Sequence, residues 1–170
     1  RFNPVTGDLE KLITRNTTDA YSNPGQPLTA PNQYGRNVLV TVDNGNKVIF
    51  NNTSGSSAKG DLPFLLSYDI HQKKADTLWR CAEGYYEFVV RVLDADKLSM
   101  ITRKESEKEM PNYWLKNLKL RIADRQLTAF SNPYPQMEGV SKEKIRYKRA
   151  DGVGLTGDLY LPKGYNKNKD

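Results

Sequence analysis

Apolar and polar positions alternate along most of this chain, and the alternation has the period of a strand. Asn37-Val38-Leu39-Val40-Thr41-Val42 is rich in β-branched residues. The turn Asp43-Asn44-Gly45-Asn46 follows, and Asn-Gly between two such runs is a strong hairpin signal. Lys47-Val48-Ile49-Phe50-Asn51-Asn52 is the expected return strand. Further strands are expected over Pro63 to Ile70, Ala75 to Arg80, Glu87 to Leu93, Lys97 to Arg103, Tyr113 to Ile122 and Gln126 to Phe130. Asp8 to Thr14 alternates loosely after the turn Asn3-Pro4-Val5-Thr6-Gly7-Asp8 and reads as another strand. Residues 15–37, rich in Asn, Thr, Pro and Gly, read as one long loop, and Thr53 to Gly60 as a flexible connection. No segment sustains the i, i+3, i+4, i+7 pattern of an amphipathic helix. The charged stretch Thr102 to Met110 has room for a helical turn or two but lacks an apolar face.

The order of these elements repeats. Val42 to Lys47 matches Val92 to Lys97, fifty positions on. Phe64-Leu65-Leu66 matches Tyr113-Trp114-Leu115, and Leu78-Trp79 matches Leu127-Thr128, each forty-nine positions on. Each unit is strand, tight turn, strand, longer loop, strand, turn, strand. Four-stranded repeats of about 40–50 residues are the signature of β-propeller blades. A blade is apolar on both faces and must stack on neighbours. The expected fold class is therefore all-β, a partial β-propeller of about two four-stranded blades plus a fragment. An ordinary β-sandwich with coincidental spacing is the alternative.

The texture changes after Phe130. Ser131-Asn132-Pro133-Tyr134-Pro135 is a rigid connector. Glu143 to Arg149 and Val153 to Leu161 are the arms of a hairpin turned by Ala150-Asp151-Gly152. The motifs here are Leu127-Thr128-Ala129-Phe130, Asn132-Pro133-Tyr134-Pro135, Arg149-Ala150-Asp151-Gly152, then Leu155, Gly157 and Leu159-Tyr160-Leu161-Pro162-Lys163-Gly164-Tyr165. This stretch resembles the entry to the catalytic domain of prolyl oligopeptidase family serine peptidases, in the branch of dipeptidyl aminopeptidases, acylaminoacyl-peptidases and glutamyl endopeptidase-like enzymes. The resemblance implies that residues 1–130 are the C-terminal blades of a propeller. It makes residues 131–139 a Pro-rich connector and residues 140–170 the start of an α/β-hydrolase domain, its entry hairpin. It also implies a propeller that gates or positions short peptides for a Ser-Asp-His triad downstream. The partners it implies are a peptide substrate and the chain's own downstream hydrolase domain, and the parent leans toward a periplasmic or secreted protein.

Composition narrows the chemistry. The 170 residues hold 26 basic and 20 acidic side chains, a formal charge of +6. No window approaches the ~18 consecutive apolar residues of a membrane span. One cysteine, Cys81, and one histidine, His71, make neither an internal disulfide nor a Cys/His zinc site. The basic run Lys142 to Arg149 is interrupted by Glu143 and alternates with Ile145 and Tyr147, so a solvated strand face fits it better than a nucleic-acid surface. Asp94 and Asp96 flank Ala95 in a turn without the ligand number that calcium needs. No cofactor motif is present.

A nucleophile elbow needs Gly-x-Ser-x-Gly. Gly55-Ser56-Ser57-Ala58-Lys59 and Gly139-Val140-Ser141-Lys142-Glu143 each lack the second glycine. His71 sits in a polar turn. No catalytic, cofactor-binding or metal-binding residue is therefore assigned. Tyr85, Tyr86, Tyr113 and Trp114 read as blade-stacking residues. Contacts to substrate are expected from the loops 15–37, 53–61 and 103–112. The first residues lack a partner strand, and the last, Asn166 to Asp170, read as a solvated loop, so an excised segment of a longer chain is expected. The other function classes are a propeller interaction module without an enzyme, and a stand-alone β-sandwich binding domain, for carbohydrate for example.

Overall fold

Strands whose successive residues are all apolar must bury both faces, and two segments here have that character. Val48, Ile49, Phe64, Leu65, Leu66 and Tyr68 are all buried, on adjacent strands. The computed structural model describes residues 1–120 and 122–167. Its strands are β1 (Gln26–Pro27), β2 (Thr29–Pro31), β3 (Asn37–Leu39), β4 (Thr41–Val42), β5 (Lys47–Asn52), β6 (Ser56–Ser57), β7 (Gly60–Asp61), β8 (Phe64–Asp69) and β9 (Lys74–Arg80). They continue as β10 (Tyr85–Asp94), β11 (Ser99–Ser106), β12 (Asn112–Asn117), β13 (Arg125–Gln126), β14 (Ser141–Lys148) and β15 (Gly154–Leu161). No α-helix occurs among the described residues; the one helical element is a 3-10 turn at Pro135–Met137. The chain is all-β.

The strands group into two leaves and a hairpin. The first leaf runs β1-β5-β8-β9, with β4 also paired to β5. The second runs β10-β11-β12-β13, and β14-β15 form a separate antiparallel pair. Both leaves are antiparallel throughout, and neither borrows a strand from the other. Each is thus a local meander, as a propeller blade is, rather than half of a Greek-key sandwich.

The leaves meet face to face through Ile49, Leu65, Val89 and Met100, all at most 2% exposed. Val42, Leu78 and Trp79 from one leaf and Val92 and Leu118 from the other pack around them. Asn51 stitches the seam, its Nδ2 donating to the Val89 carbonyl at 2.9 Å. The opposite face of the first leaf buries Phe64, Leu66 and Tyr68, and the cover comes from Leu12. The Tyr68 hydroxyl donates to the Leu12 carbonyl at 2.7 Å, and Lys73 pairs with Glu10 at 3.1 Å.

Several expected boundaries move. The segment Asp8 to Thr14 is not a strand; Leu9 makes a single bridge with Phe2, and the rest lies across the leaf as a strap. The long loop over 15–37 contains β1 and β2, which find partners in β5 and β3. The connection at 53–60 holds the small β6-β7 ladder. The run Asn37 to Val42 breaks at Val40, whose N–H turns to the Leu28 carbonyl at 2.9 Å. The strand expected over Tyr113 to Ile122 stops at Asn117, with Arg121 outside the described residues, and of the expected Gln126 to Phe130 only Gln126 lies in β13, which starts one residue earlier at Arg125. In the stretch Thr102 to Met110, β11 continues to Ser106 in place of a helical turn. Asn168 to Asp170 of the expected terminal loop lie outside the described residues.

Truncating the seam should cost most. Leu65→Ala or Met100→Ala is expected to lower the unfolding free energy in urea by about 2–5 kcal/mol, as filled core sites do. Val5→Ala, 91% exposed, should change it by less than about 0.5 kcal/mol.

Candidate functional site

The seam does not end in apolar residues. Toward one end, the leaf face carrying Val89 and Met100 also carries Glu87, Thr102 and Lys116, because Thr102 pairs with Val89 and Lys116 with Met100. All three polar residues are buried. The Thr102 hydroxyl donates to Glu87 Oε1 at 2.6 Å, and Lys116 Nζ lies 3.2 Å from the same oxygen. Lys116 also pairs with Asp124. Burial pushes the Lys116 ammonium down more than any single partner raises it, but the hydrogen bonds and charges of Asp124 and Glu87 together outweigh it, and its pKa is raised. The network pins the start of β10, where Tyr85 and Tyr86 immediately precede Glu87. Lys104 Nζ stands 3.9 Å from the Tyr85 ring centre and 5.5 Å from that of Trp114.

Those tyrosines enter an open groove of about 870 Å³. One bank is the β6-β7 ladder and the crossover between the leaves, with Lys59, Asp61 and Glu83. A second is the end of β11 and the loop after it, from Glu105 to Pro111. The third is the connector and hairpin, with Met137, Val140, Lys142 and Tyr160. Lys59 bonds Glu83 at 2.5 Å, Arg103 bonds Glu105 at 2.9 Å, and Lys142 bonds Asp158 at 2.8 Å. The Tyr86 hydroxyl donates to the Thr53 carbonyl at 2.9 Å. Its pKa is raised, by burial first and by the Asp61 charge second. The hairpin touches the second leaf lightly, the Lys142 N–H donating to Glu107 Oε1 at 3.4 Å.

Two of the three loops expected to carry contacts, 53–61 and 103–112, come together in this groove. Residues 15–37 do not line it. Met137, Val140 and Tyr160 were not expected there. They arrive through the fold of the connector, and no local pattern marks them.

The residues weighed for catalysis each make ordinary structural contacts. His71 is exposed, and its backbone N–H donates to Asp69 Oδ1 at 2.9 Å. Ser57 spends its hydroxyl on the Gly60 carbonyl at 2.7 Å. Gly55 has φ +59°, and a Cβ there would stand 2.0 Å from the Leu62 carbonyl oxygen. That glycine serves close backbone approach, not a nucleophile elbow. Cys81 is wrapped, accepting from the Glu87 N–H at 3.2 Å, with the Tyr85 carbonyl also 3.2 Å from its sulfur. Burial pushes its thiol up, away from the reactive thiolate. Asp94 accepts from the Lys97 N–H at 2.9 Å and pairs with its ammonium at 3.3 Å. Among the described residues no three His, Cys, Asp or Glu side chains are grouped to hold a metal ion. None of the described helices is long and apolar enough to cross a membrane.

Comparison with known proteins gives two relatives of one kind. The chain is 37% identical over 170 residues to a rice (Oryza sativa subsp. japonica) protein named probable glutamyl endopeptidase, chloroplastic, an alignment spanning 94% of this chain and 18% of the relative. It is 37% identical over 184 residues to the Arabidopsis thaliana protein of the same name, spanning 99% of this chain and 19% of the relative. The chain thus corresponds to less than a fifth of the relatives it matches. No family model matches it, and no solved structure matches it. The chain is similar to a segment of larger proteins named as peptidases.

The buried ion pair supplies a test that is independent of function. Lys116→Met leaves Glu87 buried without its cation and should cost about 3 kcal/mol or more. Adding Glu87→Gln should recover most of that loss. The sign with pH follows from the raised pKa: Lys116 contributes fully below its ordinary value of 10.5 and loses that contribution as pH rises through the folded value. The stability gap between wild type and Lys116→Met, measured by urea titration, should therefore narrow above pH 10.5.

Proposed function

We propose that this chain is the non-catalytic propeller segment of a larger serine peptidase of the prolyl oligopeptidase family. Residues 1–130 are then its C-terminal blades, residues 131–139 the connector, and residues 140–170 the entry hairpin of the hydrolase domain. The observation that carries the reading is the match at 37% identity, across nearly the whole chain, to under a fifth of proteins named glutamyl endopeptidase. The geometry supports it from the other side. Two blade-like leaves stand next to a separate hairpin. A segment of this kind works by shape. It narrows the path to a triad elsewhere in the protein and holds the peptide while the bond is cut. Orienting a substrate against a catalytic group can remove several kcal/mol of an activation barrier. The bond cleaved by the whole protein follows the relatives' name, one next to a glutamyl residue.

A serine-reactive phosphonate probe should leave the isolated chain unlabelled, and a chromogenic glutamyl peptide should not turn over. Labelling or turnover would show a triad inside these residues and overturn the assignment. In the parent sequence, a Gly-x-Ser-x-Gly followed by Asp and then His is expected within about one large domain, ~250 residues, of Asp170. Further four-stranded repeats in that stretch would make the chain part of an interaction module instead.

A further inference from the structure

The groove reverses the sign of the chain. The molecule carries a formal +6, yet five carboxylates and three lysines line the groove. Lys59 and Lys142 are already engaged, with Glu83 and Asp158, and Lys108 stands exposed between Glu107 and Glu109, so carboxylates still outnumber lysines along the groove. Among the described residues Asp61, Glu107 and Glu109 have no cation at ion-pair distance, and all three are exposed. They do not converge on a metal-holding group. They are spread along a trough that also presents Tyr86, Met110 and Pro111. Separated negative charges beside aromatic and thioether surface suit an extended chain with long cationic side chains. The methylene stems lie on the apolar surface while the charged heads reach the carboxylates. A volume of about 870 Å³ falls in the range of about 300–1,000 Å³ typical of ligand sites.

Resting on the peptidase reading above, we propose that this groove binds a stretch of peptide substrate that carries lysine or arginine. A glutamyl side chain is repelled by the same wall, so the groove selects a part of the substrate other than its glutamate. The charges sit at the rim, where each pair contributes little alone and several together steer the encounter.

The test is fluorescence anisotropy with the 170-residue chain and two labelled heptapeptides of leucine and alanine, one with two lysines and one with two glutamates in their place. The lysine peptide should bind about tenfold tighter, a difference of about 1.4 kcal/mol. The preference should collapse in about 1 M salt, where the Debye length is about 3 Å. The triple variant Asp61→Asn, Glu107→Gln, Glu109→Gln should lose it with an unchanged melting temperature. Lys108→Glu, which adds a charge of the same sign, should sharpen it. Equal affinity for the two peptides, a preference that survives the triple variant, or displacement by a free polyamine as effective as by the peptide itself would overturn the proposal. Binding is read without hydrolysis, so its failure leaves the peptidase reading standing. A parent without a triad would sink that reading and leave a measured preference in place.

Discussion

Four side chains hold this molecule together. Ile49 and Leu65 from one leaf meet Val89 and Met100 from the other, and each leaf depends on that meeting. A lone four-stranded meander has too little buried surface to persist when both faces are apolar. The first leaf resolves its second face with a strap, placing Leu12 against Phe64, Leu66 and Tyr68. Among the described residues the second leaf has no comparable cover at Val90 and Leu93, which remain about half exposed. The same repeat is therefore stabilised unequally, and the shared seam carries the greater part for both leaves.

Position in the groove follows from the seam. Glu87 sits two residues from Val89 on β10, so the face that packs on the first leaf also fixes the carboxylate that Lys116 and Thr102 hold. A half-paired charge at such depth would destabilise the leaf, whereas the complete set fixes strand register, since a slip by one residue would send Glu87 and Val89 to the other face. Tyr85 and Tyr86 are the next residues toward the strand's start. Their presentation to the groove is thus decided by a buried network that never touches it.

The repeat was legible where local chemistry and tertiary demand agree. Lys47 to Asn52 matches its strand at both ends because an Asn-Gly turn starts it and alternation sustains it. Residues Gln26 to Pro31 were not legible. Pro27 and Pro31 read against a strand, and these residues pair because β5 and β3 lie beside them. Asp8 to Thr14 failed in the opposite direction. Its alternation is real, but Leu12 uses it to cover a sheet rather than to extend one. Tyr113 to Ile122 overran because Leu118 and Leu120 prolong the apolar run past Asn117, whose side chain accepts from the Leu120 N–H at 3.0 Å and closes a turn. Of the groove, the loops were visible as polar interruptions. Met137, Val140 and Tyr160 were not, since their meeting with β11 depends on how the connector turns through Pro135–Met137.

That turn explains why the groove exists. Pro133 and Pro135 stiffen the connector, and the 3-10 turn ends at Glu138, just before Gly139 at φ +89°. The chain then reverses so that Lys142 faces Glu107 instead of continuing the second leaf. Had the hairpin simply extended that leaf as a further strand, β-pairing would have filled the space. Because it stands off that leaf, the space remains open and its walls come from three separate parts of the chain. Asp61, Glu107 and Glu109 along it stay exposed to solvent, where isolated charges contribute little to stability.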